Sequence, residues 1–134
     1  MKYLVLLGRF FYVFIFLLAM PDHFHAKTIA YAAHAGVPLA SLAVPLSGII
    51  AFLGGLSILL GYKAKFGAWL IILFLVPVTL MMHKFWGLSD HAEGVAMMQQ
   101  INFLKNTSML GAAFLIAYFG AGPLSLDARG KPQG

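Results

Sequence analysis

The 134-residue sequence has no cysteine, only four acidic residues, and charged residues at just 10% of its length. Without cysteine the chain can form no disulfide, ligate no iron–sulfur cluster and supply no thiolate nucleophile. Thiol–disulfide chemistry could take place only on a partner's sulfurs. The scarcity of charge says more. Soluble domains carry roughly 25% charged residues, so this chain lacks the polar coat a globule needs in water, and lipid is the expected solvent for much of its surface. Nine Lys and Arg outnumber the acids to a net charge of +5, but they lie scattered. The basic stripe with exposed aromatics that marks a nucleic-acid surface is missing, and nucleic acid is set aside as a partner. Also missing are a HExxH box, a phosphate-cradling Walker loop and a nucleophile–base–orienter set.

What is present is apolar, at 61% of the residues, and gathered into four runs. They are "YLVLLGRFFYVFIFLLAM", "SLAVPLSGIIAFLGGLSILLG", "FGAWLIILFLVPVTLMM" and the segment opening "INFLKNTSMLGAAFLIAYF". A helix needs ~20 apolar residues to cross a hydrocarbon core, and none of the runs alternates with the period of two that barrel strands require. The composition therefore predicts an all-α integral membrane protein, one domain over 1–134, with four transmembrane helices at about 3–20, 41–61, 66–82 and 101–119 forming a bundle. The first run follows Lys2 as a signal peptide would, but Pro21, Asp22 and His23 replace a small-x-small cleavage site, so it is expected to be a retained span. The Ala-rich "HFHAKTIAYAAHAGVP" after it is expected to form a short interfacial helix.

Orientation follows from basic residues in the short connections. Lys2, Arg9, Lys63, Lys65, Arg129 and Lys131 fall on one side, Lys27, Lys84 and Lys105 on the other, which puts both termini in the cytoplasm. Small residues allow close backbone approach in lipid. Ser47, Ala51 and Gly55, with Gly48 and Gly54 beside them, and Ser108 with Ala112 and Gly111, are expected to face the bundle interior.

The polar residues inside these runs need partners. Arg9 lies two turns into the first run, where an arginine at the bilayer centre costs ~2.5–3.5 kcal/mol. It either snorkels to the headgroups or pairs with Asp127, an acid folded back under the bundle. Lys105, Asn106, Thr107 and Ser108 stand side by side at the start of the fourth run. Neighbours on a helix are separated by about 100°, so Lys105 is expected to reach outward while Asn106 or Ser108 turns inward, as packing glue or as the lining of a ligand cavity. All five histidines fall on the side opposite the termini. His23 and His25, or His91 with Glu93, offer metal-ligand types without a defined box, and haem or metal ranks below a quinone headgroup or proton path as their use.

The pieces "LGRFF" at Leu7–Phe11, "FLGGLSILLGYKAKFGAWL" at Phe52–Leu70, "HKFW" at His83–Trp86, "INFLKNTSMLGAAFL" from Ile101 and the closing "GPLSLD" resemble the DoxX family of small four-span bacterial membrane proteins. The resemblance covers nearly the whole chain. It implies an inner-membrane location and a link to quinone-dependent thiosulfate oxidation or to other membrane redox complexes. Arg9, His83, Lys105, Asn106 and Asp127 match the family pattern. Two positions depart from it: Ala51 stands where many members carry glutamate, and "AMPDHF" where many carry Gly-x-x-Lys. The resulting expectation is a redox-linked subunit with no electron carrier of its own. It would bind a quinone or similar amphiphile through His83, Lys105, Asn106 and Trp86 in the outward half of the bundle. A partner redox protein would supply electrons, and a homo-oligomer is compatible with this role. The alternative is a non-enzymatic module that binds lipid or small solutes, or assists assembly.

Overall fold

The computed structural model describes residues 1–87 and 94–131, and among them there is helix and turn but no strand. Five α-helices follow one another: α1 (Lys2–Leu18), α2 (Ala26–His34), α3 (Ala40–Leu60), α4 (Ala64–Met82) and α5 (Val95–Phe119). Short 3-10 turns occupy Met20–Phe24 and Leu126–Ala128. Three stretches are long and apolar enough to cross a membrane: α1 with its following turn (Lys2–Phe24), α3 and α4. The 25-residue α5 is not among them, because Gln99, Gln100, Asn102 and the Lys105–Ser108 block dilute its apolar character.

Local chemistry sets where the helices start and stop. Pro21 sits at the start of the turn that ends α1, where its missing N–H costs nothing. Gly61, at φ 65°, closes α3, with Gly61 N–H donating to Ile58 O at 3.1 Å and Tyr62 N–H to Ser57 O at 3.0 Å. This paired pattern satisfies the last carbonyls of a helix and favours glycine. α4 begins after Lys63 with no capping side chain of its own. Its cap comes from far along the chain: Asp127 accepts from Lys63 N–H at 2.8 Å and from Ala64 N–H at 2.9 Å.

One core joins four helices. Val13 and Phe16 from α1, Ala51 and Ile58 from α3, Ala68, Ile71, Ile72 and Leu75 from α4, and Ala113 from α5 form a single buried cluster. Around it the molecule is inverted relative to a water-soluble fold: Phe11, Phe14, Leu53, Leu73, Leu80 and Leu115 all point outward. α1 touches α5 through Tyr12, whose hydroxyl donates to Met109 O at 2.8 Å. α2 lies against α3 through a smaller cluster of Ala32, Ala40 and Val44.

The small residues of α3 set the helix spacing. A Cβ on Gly54 would sit 2.8 Å from Gly67 O, and one on Gly55 would sit 3.3 Å from Phe16 Cβ, so α4 and α1 approach α3 on neighbouring faces. The small-residue face expected on α5 is corrected. Ser108 and Gly111 are exposed, and the inward line runs instead through Asn106 and Ala113. The Ser108 hydroxyl donates back to Leu104 O at 3.1 Å and that of Thr107 to Phe103 O at 2.8 Å, so neither needs a partner on another helix.

Candidate functional site

At the end of the bundle away from the α3–α4 turn, a cavity of about 330 Å³ opens between α1, α3, α4 and α5. Its apolar floor is Phe16, Ala51, Phe74 and Leu75. Its polar rim is His23, His83, Asn102, Lys105 and Asn106. His83, from the end of the third run, and the neighbours Lys105 and Asn106, from the start of the fourth, are thus brought to one space. Thr107 and Ser108, next to them in sequence, are turned away.

Each rim residue is positioned by its element. Asn106 is 6% exposed and lies on the inward line of α5. Among the described residues its side-chain amide has no hydrogen-bond partner, although a buried amide ordinarily finds one. Lys105, one step round the helix, is exposed and rests its ammonium 3.4 Å from Asn102 Oδ1. His83 terminates α4 and donates through Nδ1 to Gln99 Oε1 at 2.8 Å. The Gln99 amide in turn donates to the Tyr31 hydroxyl at 2.5 Å. That chain ties α2, α4 and α5 together and leaves Nε2 as the acceptor nitrogen of a neutral His83.

His23 was weighed above as a metal ligand and is placed otherwise. A Cβ on Gly48 would fall 2.6 Å from His23 Cβ, so the imidazole lies flat on a bare patch of α3. Its Nδ1 is 2.9 Å from Ala19 O and its ring centroid 5.7 Å from that of Phe74. His25 instead pairs with Asp22 at 3.5 Å on the exposed surface. His91 and Glu93 lie outside the described residues, and among those described no three His, Asp or Glu side chains gather as a metal set. Trp86 does not line the cavity. It meets Phe85 and Phe103 edge-on at 5.4 and 5.8 Å, part of an aromatic cluster that pins the chain after α4 to α5.

Gln99 and Tyr12 were passed over in the sequence. Their signal was present, since each is a polar group interrupting an apolar stretch, but only the fold shows which helix each one meets.

Arg9 and Asp127 lie at the opposite end. They are joined through the backbone of the tail and do not form a direct ion pair. Arg9, 4% exposed, donates from Nη2 to Leu124 O at 2.6 Å, while Asp127 caps α4 and donates its own N–H to Gly61 O at 2.7 Å. A long guanidinium satisfies a carbonyl of the turning tail, and the carboxylate finds backbone donors closer than the arginine.

In chemical terms the cavity is an apolar slot with one cation, two imidazoles and two amides at its mouth, and no acid among the described residues. It can hold an apolar body while giving and accepting hydrogen bonds at one end of it.

The family model described as DoxX matches residues 4–84. The inner membrane protein YphA of Escherichia coli (strain K12) is 33% identical over 102 residues, which cover 76% of this chain and 71% of that protein. The inner membrane protein YqjF of the same organism is 32% identical over 103 residues, covering 77% and 72%. No solved structure matches the chain.

Proposed function

This chain belongs to the DoxX family, and we propose that it is a four-span inner-membrane protein that binds a quinone or similar amphiphile, serving as a non-catalytic subunit of a redox assembly. The inner-membrane placement is supported by the names of its two relatives and by three apolar helices of spanning length. α5 serves as the fourth span. Its 25 residues extend about 37 Å, longer than the ~30 Å hydrocarbon core, so its first turn and a half, Val95–Gln100, can reach the headgroups while Ile101–Phe119 cross the core. α2, with Lys27 and Tyr31 exposed, lies along the outer interface. The orientation with both termini inside places the cavity in the outward half.

The observation that carries the ligand is Asn106, a residue of the cavity wall whose side-chain amide has no hydrogen-bond partner among the described residues. A planar ring with carbonyl oxygens fits it: Asn106 and Lys105 donate to the oxygens, His83 Nε2 accepts from the hydroxyl of the reduced form, and Phe16 and Phe74 flank the ring. When bound, a quinone would supply two-electron, two-proton redox chemistry at this site. The electrons come from a partner redox protein, and His83, at the end of the Tyr31–Gln99 chain, holds or passes a proton. Ala51, on the cavity floor, stands where many family members carry glutamate, so this position supplies no carboxylate to the ligand.

Native mass spectrometry of gently solubilised protein tests this, and quinone retained at a defined stoichiometry is expected. Asn106→Leu keeps the volume and removes the amide, and should weaken quinone binding about tenfold, the value of one hydrogen bond, without lowering the melting temperature. Protein that neither retains nor binds added quinone would overturn the proposal. A packing role for His83, as in a non-enzymatic membrane module, would show instead as His83→Ala losing stability with ligand binding unchanged.

A further inference from the structure

A second and larger cleft, about 970 Å³, lies at the turn end of the bundle, bounded by the α3–α4 turn, the end of α5 and the tail. Two segments distant in sequence send lysines to it: Lys63 and Lys65 from the start of α4, and Lys131 from the tail. The stem of the exposed Lys65 passes over Gly120, where a Cβ would be 3.5 Å from its Cε, which brings this cation to the end of α5. Asp127 is the one acid in the lining among the described residues, and both its oxygens are engaged by the Lys63 and Ala64 amides. The cleft therefore presents positive charge with its single carboxylate already engaged. Phe66 and Phe119 border it and are 62% and 73% exposed.

We propose that this cleft binds the phosphate of an anionic phospholipid, with Lys63, Lys65 and Lys131 around the headgroup and Phe66 and Phe119 against the first methylenes of its acyl chains. All these groups sit where three helices end, at the depth of the headgroups. Clustered lysines there attract acidic lipids, while aromatic side chains fit the boundary between headgroup and hydrocarbon. A free phosphate would use the lysines and leave both rings idle. This site needs only the membrane placement and stands or falls separately from the quinone reading.

The test is lipid binding to delipidated protein, by native mass spectrometry and by melting-temperature shift, with phosphatidylglycerol against phosphatidylcholine. Selective binding and stabilisation by phosphatidylglycerol are expected. The combined variant Lys63→Gln, Lys65→Gln, Lys131→Gln should lose about a hundredfold in affinity, from roughly 1 kcal/mol per lysine, while Lys84→Gln at the other end should bind as the parent does. Unchanged elution and helical content in the variant would show that the loss is not unfolding. Equal binding of the two lipids, or full preference retained in the triple variant, would overturn the proposal. So would inorganic phosphate displacing the lipid at equal concentration, which would make the cleft a site for a soluble anion.

Discussion

Arg9 and Asp127 are each tied to backbone rather than to one another, and Arg9 is satisfied only in part, since its Nε and Nη1 are buried without a partner among the described residues. The guanidinium holds Leu124 O at 2.6 Å, and Leu124 itself stands at φ 55°, a conformation an L-residue adopts only under constraint. Asp127 supplies the cap that α4 lacks, next to Lys63 at φ 49°. Both strained residues thus belong to one latch, fastened by two charged side chains. Asp127→Ala should cost about 1 kcal/mol, the usual loss of a helix N-cap, whereas Asp127→Asn, keeping one capping oxygen, should cost much less. A direct ion pair would make the two substitutions equally harmful. Thermal melting in detergent separates the cases. Arg9→Ala should release the same tail, so the double substitution with Asp127→Ala should cost less than the sum.

The helices themselves are held at their spacing by missing side chains. Gly54 and Gly67 face each other so closely that a Cβ on Gly54 meets Gly67 O at 2.8 Å and a Cβ on Gly67 meets Ser57 Cβ at 2.6 Å. In lipid, close packing of this kind is a main source of helix association. Gly54→Ala should therefore destabilise the protein by about 1–3 kcal/mol, the cost of overpacking. Gly111→Ala on α5 has nothing within 4 Å of the added methyl and should leave the melting temperature unchanged or higher, since alanine favours helix by roughly 1 kcal/mol over glycine. Equal effects at the two positions would mean that helix propensity, not contact, governs both. Glycines in one apolar run look alike on paper, and so do those in another; what separates Gly54 from Gly111 is the neighbouring helix.

For the whole molecule, the absence of cysteine makes the proposed topology simple to test. A single cysteine placed at Ala30, exposed on α2, should react with a membrane-impermeant maleimide in intact cells, and one at Lys131 only after the inner membrane is opened. Labelling of both, or the reverse pattern, would contradict the proposed arrangement. Much of this architecture was legible beforehand. Runs at 3–20, 41–61 and 66–82 became α1, α3 and α4 within a residue or two of each end, because helical hydrogen bonds are local and apolar length alone states which solvent a segment prefers. α5 begins at Val95, six residues before the expected start, since Gln99 and Gln100 interrupt the apolar run without breaking the helix, and hydropathy registers only the interruption. The convergence of His83, Lys105 and Asn106 on one cavity, the cap that Asp127 gives α4 and the cleft of three lysines were not written in any local stretch. They depend on the rotation of each helix about its axis and on the path of the tail. Those are decided by which surfaces fit against one another across dozens of residues, and only the packed structure brings those surfaces together.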